Sequence, residues 1–302
     1  MEKTLLWGIE VIKAIQTIEN PVLTVIMKGI TSLGSEFAYL AIIPLVYWCV
    51  DEKKGVRLGV TLLLSAWLNS VLKAVWKQPR PYELDPSVGR ALEKSYGLPS
   101  GHAQGSLTFW GLVGSWVTAP SGLILAIALP LLIGFTRLYL GVHFPTDVLA
   151  GWLLGGGVLV VYFFLGDRLV WVLSAANIRI RLLTIVAVAF LMNALHPEDT
   201  SLGGVFFGMG AGYLLMQAKF PFLARLGADG QTARPTTLAL RYLLGLAVSA
   251  ALYLGLKKVF PGETSSSYAL FRFLRYGLVG AWVSAGAPWV FIRLKLAGLP
   301  QG

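Results

Sequence analysis

The sequence predicts an all-α membrane protein: a polytopic bundle of about nine or ten transmembrane helices, with an amphipathic helix at its N-terminus. Of the 302 residues, 56% are hydrophobic and only 13% are charged, against roughly 25% charged in an average soluble domain. The apolar residues come in long runs, as expected of helices that cross a hydrocarbon core about 30 Å thick. This composition excludes a disordered chain, a coiled coil and an ordinary soluble globule.

Residues 1–32 form a separate, membrane-associated region. Within it, apolar residues recur at helical spacing among charges: Leu5, Ile9, Ile12 and Ile15. This pattern is typical of a helix that lies on the bilayer surface. Residues 20–32 are apolar but short and contain Lys28, so whether they span the membrane is left open.

Nine apolar segments that follow are candidate spans. They cover residues 36–50, 57–76, 102–118, 121–138, 146–165, 182–195, 201–217, 237–256 and 268–291. Two polar segments, residues 77–101 and 218–236, interrupt them.

Loop charges predict the orientation of the spans. When the spans alternate, twelve Lys and Arg residues fall on one side and seven on the other, apart from the motif residues below. The side with twelve is expected to be cytoplasmic. The other side holds most of the acidic loop residues, Glu93 among them. The net charge of +10 then reflects attraction to anionic lipid, and no nucleic-acid partner is expected.

Three short motifs carry the candidate site residues, and alternation of the spans puts all three on the non-cytoplasmic face. They are Lys73 with Arg80-Pro81, Pro99-Ser100-Gly101-His102, and Arg137 with His143 and Asp147.

The cations of these motifs indicate a phosphate site. Lys73, Arg80 and Arg137 would lie near the hydrocarbon boundary, where charge is costly unless it is paired or functional. A phosphoryl group is a suitable counterion, and arginine can bind its oxygens in bidentate fashion. Ser100 and Gly101 lead into a helix whose free N–H groups can hold an anion.

The histidines supply the chemistry. His143 and Asp147 are four residues apart at a helix start, so the carboxylate can fix the tautomer and leave the other ring nitrogen free to attack. His102 would protonate the departing alkoxide and later activate water. The sequence has no Cys/His or carboxylate ligand set, so we expect no metal and no cofactor.

The spacing of the three motifs resembles the signature of the type 2 phosphatidic acid phosphatase superfamily, which are metal-independent integral-membrane lipid phosphatases. The resemblance covers residues 36–165. It implies that His143 forms a phosphohistidine, with Asp147 as its orienter and His102 as general acid. It further implies phosphate-binding roles for five residues: Lys73, Arg80, Ser100, Gly101 and Arg137.

One position departs from the family pattern. Thr136 stands where the family usually has a serine, and because a hydroxyl remains, we expect its contact with phosphate to survive.

We therefore expect residues 33–166 to be a phosphatase core that hydrolyses a lipid phosphomonoester or diphosphate on the non-cytoplasmic side, in a bacterial inner membrane. Two alternatives stay open: a lipid phosphotransferase that uses the same intermediate, and a non-catalytic lipid transporter or scaffold.

Residues 167–302 form a transmembrane extension without a second catalytic set. Stabilisation, homo-oligomerisation through these spans, and a wall for a lipid tail are the roles left open. Gly204, Gly208 and Gly212 recur at four-residue spacing, which predicts close helix packing.

Overall fold

The computed structural model describes residues 2–298, and its regular structure is helical. The α-helices are α1 (Glu2–Gln16), α2 (Pro21–Ser32), α3 (Glu36–Leu45), α4 (Glu52–Trp76), α5 (Pro81–Leu84), α6 (Gly101–Ser115), α7 (Ser121–Leu123), α8 (Leu129–Tyr139), α9 (Pro145–Ala175), α10 (Ile178–Leu195), α11 (Ser201–Lys219), α12 (Pro235–Val259), α13 (Tyr268–Ala281) and α14 (Ala287–Arg293). Three π-helical turns (Val46–Val50, Ile124–Ala128 and Trp282–Gly286) and one 3-10 turn (Pro86–Val88) join them. Over this range the structure has no β-strand, only an isolated bridge between Leu226 and Thr232.

Five helical segments are long and apolar enough to cross a membrane. They are Glu52–Leu84, Ser121–Tyr139, Pro145–Ala175, Ile178–Leu195 and Pro235–Val259. A sixth is counted if α2 and Glu36–Val50, which meet at a 46° bend, are one broken span. The all-helical membrane fold is therefore confirmed, and the protein is an integral, multi-pass membrane protein.

The prediction of nine or ten spans is not confirmed. Three predicted spans, residues 102–118, 201–217 and 268–291, are helical but are not among the five or six. The helix in the first, α6, has only 15 residues, whereas a span needs about 20. The helix in the second, α11, is rich in glycine, which adds little apolar surface.

The chain divides into two compact units. The first, unit 1, comprises Met1–Tyr39 and Leu64–Arg168, and the second, unit 2, comprises Leu40–Leu63 and Leu169–Gly302. The second half of α4 and helices α5 to α9 thus belong to unit 1, which contains all three motifs.

In unit 1, α1 packs against the protein through the apolar residues that the sequence placed on one face. Ile9 and Ile12 are buried in a cluster with Val88 and Phe144. The side chain of Gln16 donates to the carbonyls of Val88 and Tyr139, each at 2.8 Å. Residues Glu2–Gln16 are helical, but the prediction of an amphipathic helix on the bilayer surface is not confirmed, because these side chains contact other residues of unit 1.

In unit 2, glycines bring α11 and α13 close together. A Cβ atom added at Gly204 or Gly208 would overlap the backbone of α13 at Phe273 or Gly277. The third glycine, Gly212, meets Ser284 in the same way. The predicted close packing at this four-residue repeat is confirmed.

Two arginines of the charge count fall within predicted spans and are buried inside helices of unit 2. Arg241 lies in α12 and Arg275 in α13. Since one is removed from each side, the direction of the charge bias does not change.

Gly141 fixes the turn that precedes His143. It has φ +65°, and a Cβ there would overlap the carbonyl oxygen of Val88. We predict that Gly141→Ala destabilises the protein by about 1–3 kcal/mol through backbone strain, with a further contribution from this overlap. Thermal unfolding in detergent would show a lowered midpoint.

Gly157→Ala is the matched control, because Gly157 lies inside α9 with open space around it. Alanine in a helix interior is favoured over glycine by roughly 0.5–1 kcal/mol, so its midpoint should hold or rise. Equal midpoints for the two variants would contradict the role of Gly141.

Candidate active site

The first motif lies where the chain turns after α4. Lys73 is in the last turn of α4, and Arg80 precedes α5, whose first residue is Pro81. The Arg80 side chain is fully buried (0% exposed). Both cations are therefore positioned by the end of a single apolar helix and the short break that follows it.

The second motif forms the start of α6. The Oγ atom of Ser100 accepts from the N–H of Ala103 at 3.4 Å, as an N-cap residue does. The backbone N–H of Ser100 donates to the carbonyl of Asp147 at 2.9 Å. This bond joins the second motif to the third.

The third motif runs from the last turn of α8 to the first turn of α9. Arg137 is buried in α8, and His143 lies in the short connection before Pro145. The Asp147 carboxylate accepts from the N–H of Phe144 at 2.9 Å. This bond satisfies a free donor at the start of α9 and fixes the carboxylate beside His143.

The imidazole ring of His143 lies between the carboxylate of Asp147 and the guanidinium group of Arg80. Its Nδ1 atom lies 3.3 Å from Oδ2 of Asp147, and its Nε2 atom lies 3.3 Å from Nη1 of Arg80. Gln78 donates to the other carboxylate oxygen of Asp147 at 2.6 Å. With a proton on Nδ1 shared with Asp147, the lone pair is on Nε2.

The surroundings keep His143 neutral. Burial lowers the pKa of His143 well below its ordinary value, and the nearby charges of Arg80, Arg137, Lys73 and His102 lower it further. A neutral imidazole retains the lone pair that a nucleophile needs.

The segment from Glu93 to Gly97 engages all three motif cations. Lys73 donates to the carbonyls of Tyr96 and Gly97, the latter at 3.3 Å. Arg80 donates from Nε to the carbonyl of Ser95 at 2.6 Å and from Nη2 to that of Tyr96 at 3.2 Å. The positive charges of the motifs are thereby directed at oxygen atoms of four residues in one loop: Glu93, Ser95, Tyr96 and Gly97.

Glu93 bridges the two motif arginines. One carboxylate oxygen lies 3.0 Å from Nη2 of Arg80, and the other is ion-paired with Nη2 of Arg137. Tyr82 holds the Glu93 backbone: its hydroxyl donates to the carbonyl at 2.8 Å and accepts from the N–H at 3.1 Å. Arg137 also donates to Thr31 at 2.8 Å, and its buried Nε atom has no partner.

Sequence reasoning missed the role of Glu93, which appeared there only as a loop acid. The distance of Glu93 from the motifs along the sequence does not predict this contact, because an irregular segment of the chain returns Glu93 to the motif residues.

It also missed a buried polar chain that joins α4 to α6. Asn69 donates to Oε1 of Gln104 at 2.8 Å, and Gln104 donates to the carbonyl of Ser65 at 2.7 Å. Asn69 also donates to the carbonyl of Pro99 at 3.3 Å, next to the second motif. Polar residues four apart within an apolar span, such as Ser65 and Asn69, are the signal that could have revealed it.

The remaining predicted residues lie around this centre. His102 is half-buried in the first turn of α6, close to Gly34. Gly101 lies against Oδ1 of Asn69, which would be 3.2 Å from an added Cβ. Thr136 donates its hydroxyl to the carbonyl of Ile133 at 2.6 Å, so the expected contact with phosphate requires that hydroxyl to rotate.

Comparison with known proteins gives two family matches. Residues 54–171 match the PAP2 superfamily, and residues 200–299 match the transmembrane extension of PAP2 superfamily phosphatases. The first match contains all three motifs.

Three relatives illustrate the range of the family. An undecaprenyl-diphosphatase of Sulfolobus acidocaldarius is 30% identical over 52% of this chain and 77% of its own length. A phosphatidylglycerophosphatase B of Bacillus subtilis is 31% identical over 50% of this chain and 77% of its own. A probable sphingosine-1-phosphate phosphatase of Dictyostelium discoideum is 31% identical over 47% of this chain and only 38% of its own.

The family resemblance suggested by the three motifs is thus confirmed over both halves of the chain, and the protein belongs to the PAP2 superfamily of membrane phosphatases.

Proposed function

We propose that this protein is a metal-independent lipid phosphatase that hydrolyses a lipid phosphomonoester or diphosphate through a phosphohistidine at His143. The observation that carries the proposal is the position of the His143 imidazole, with Asp147 on one nitrogen and Arg80 on the other. The buried guanidinium groups of Arg80 and Arg137, bridged by a single carboxylate, mark where a phosphoryl group would bind.

The substrate class is supported by what the relatives act on. Their names specify an isoprenoid diphosphate, a glycerophospholipid monoester and a sphingoid-base monoester. These lipids share a terminal phosphate and little else. A site built from cations directed at one tetrahedral anion accounts for that common element, because planar guanidinium groups bind phosphate oxygens bidentately.

In the first step, Nε2 of His143 attacks phosphorus, the N–P bond forms, and the bond from phosphorus to the lipid oxygen breaks. Asp147 stabilises the positive charge that develops on the ring. Burial and the charges of Arg80 and Lys73 lower the pKa of His102 to about 4, and the bound phosphoryl anion raises it again by offsetting those charges. The protonated His102 of this complex gives its proton to the departing lipid oxygen. Arg80 and Arg137 stabilise the negative charge on the phosphoryl oxygens during the transfer.

In the second step, neutral His102 accepts a proton from water while the water oxygen attacks phosphorus. The N–P bond breaks, and inorganic phosphate leaves. His143 returns to its neutral form, which its lowered pKa favours.

Ser100 and Gly101 contribute through the helix start. Free N–H groups at the first turn of α6 and the positive end of its dipole attract phosphoryl oxygens. Lys73 adds a third positive charge once it leaves the carbonyls of Tyr96 and Gly97.

Substrate binding requires Glu93 to withdraw from the two arginines. Its carboxylate takes up the guanidinium donors that a phosphoryl group would use, and two anions cannot be accommodated there without strong repulsion. Glu93 therefore competes with the substrate for the same cations.

The site faces the non-cytoplasmic side in this proposal, as the bias of loop charges supports. Residues 33–166 form the catalytic core, residues 1–32 lie at the membrane interface, and residues 167–302 are an accessory transmembrane extension.

Phosphate release from a panel of lipid phosphates in detergent tests the proposal. We predict turnover in the presence of EDTA, because the cations of the site replace a metal. His143→Ala should lower turnover at least about 10³-fold, as is usual when a nucleophile is removed.

His196→Ala is the control, because that histidine follows α10 in unit 2. Turnover that survives in His143→Ala would contradict the nucleophile assignment. Phosphate that appears on an added alcohol rather than in water would identify a phosphotransferase.

The substitution Glu93→Gln tests whether the Glu93 carboxylate competes with a phosphate for Arg80 and Arg137. The amide keeps the shape of the side chain but not its charge, so we predict about tenfold tighter inhibition by orthovanadate, a tetrahedral phosphate analogue, with kcat little changed. Tenfold corresponds to about 1.4 kcal/mol, a reasonable value for a partly buried ion pair.

Glu198→Gln removes the same charge from an exposed position between α10 and α11 and should leave the inhibition constant unchanged. Weaker inhibition by orthovanadate in Glu93→Gln would contradict this competition and would mean that Glu93 positions the two arginines for anion binding.

A further inference from the structure

Arg275 in unit 2 is a buried charge without a polar partner. Its residue is 8% exposed, and its Nε atom is buried without a hydrogen bond. Its guanidinium contacts aromatic rings instead: the central carbon lies 5.5 Å from the ring centre of Tyr253 and 5.1 Å from that of Tyr276. Arginine cannot lose its proton in a protein, so this positive charge needs compensation.

The carboxylate that could compensate the charge of Arg275 is Asp199, but it is ion-paired with the neighbouring Arg272. The Nη2 atom of Arg272 pairs with Asp199 at 3.0 Å, while its buried Nε atom has no partner. Asp199 also accepts from the N–H of Ser201 at 2.8 Å. Across residues 2–298, therefore, Asp199 is ion-paired with Arg272 alone, and the positive charge of Arg275 has no carboxylate partner.

Arg241, another buried arginine of unit 2, has hydrogen-bond partners within the protein. It is fully buried, yet its guanidinium donates to the carbonyls of Ala224 (2.6 Å), Leu296 (2.7 Å), Trp48 (3.3 Å) and Leu226. Carbonyl oxygens thus satisfy its donors completely. Arg275 lacks such oxygens, which is expected if its partner is a ligand.

Leu278, three residues after Arg275 on α13 and therefore next to it on the helix surface, belongs to an exposed apolar stripe. Leu270, Leu274 and Leu278 are four residues apart on α13 and are 58%, 41% and 48% exposed. In a membrane protein such a stripe contacts acyl chains. A ligand that combines an anionic phosphate with such chains matches both features, whereas free phosphate matches only the first.

We propose that Arg275 and Arg272 bind the phosphate of an anionic phospholipid whose acyl chains lie along the leucine stripe. This site is separate from the His143 centre and hydrolyses nothing. It gives the C-terminal extension a role in lipid binding.

Binding of phosphatidylglycerol to the purified full-length protein tests the proposal. This lipid carries a phosphodiester and no phosphomonoester, so it serves as an anionic ligand and not as a substrate of the proposed kind. Native mass spectrometry in detergent would count bound lipid during a titration, with saturating orthovanadate present to occupy the His143 site. A parallel titration would use inorganic phosphate as competitor.

We expect Arg275→Gln to weaken phosphatidylglycerol binding about tenfold. Arg293→Gln, which removes an exposed arginine that also contacts an aromatic ring, should bind as the wild type does. If Arg275→Gln does not fold, as judged by circular dichroism, Arg272→Gln replaces it, since that side chain is 23% exposed.

Equal affinity in Arg275→Gln and wild type, or equal loss in Arg293→Gln, would overturn the site. Displacement of the lipid by millimolar inorganic phosphate would overturn its assignment to a lipid. Neither result depends on turnover at His143, so failure here and failure of the proposed phosphatase activity can be told apart.

Discussion

The burial of several positive charges in one place is the constraint on which the rest of unit 1 depends. Arg80 is fully buried, the side chain of Arg137 is 3% exposed, and Lys73 is half-buried. Like charges repel strongly where water is excluded, so the fold supplies compensating oxygen atoms. The segment from Glu93 to Gly97 provides them as one carboxylate and a row of carbonyls. Its irregular path, and the Tyr82 hydroxyl that holds it, follow from that requirement.

The same compensation prepares the protein for chemistry. Carbonyl oxygens hold the cations without neutralising them, and Glu93, which is ion-paired with both arginines, is on a loop and partly exposed. A phosphoryl group carries more negative charge than a carboxylate and can replace it. His143 is fixed independently by Asp147 at the start of α9, so the nucleophile need not move when the anion changes. The buried chain from Ser65 to Gln104 keeps α4 and α6 in register beneath it.

The sequence was sufficient for the helical membrane class and for the residues that meet around His143, because three spaced motifs with costly charges are a specific pattern. It could not reveal Glu93, whose position depends on an irregular loop, or the buried, unpaired Nε atom of Arg275, which depends on how α13 packs. The predicted number of spans is not confirmed, because glycine-rich helices such as α11 occur in apolar segments of the sequence but pack closely on a neighbour. The amphipathic surface helix predicted at the N-terminus is not confirmed, since Ile9 and Ile12 of α1 contact Val88 and Phe144.

The central claim is that one tetrahedral anion occupies the space beside His143 that Glu93 now competes for. A crystal structure of the wild-type protein with bound orthovanadate tests this most directly. The account predicts vanadium bonded to Nε2 of His143, vanadate oxygens on the guanidinium groups of Arg80 and Arg137, and the Glu93 carboxylate withdrawn from both. Vanadate bound elsewhere, with Glu93 still bridging the two arginines, would contradict it.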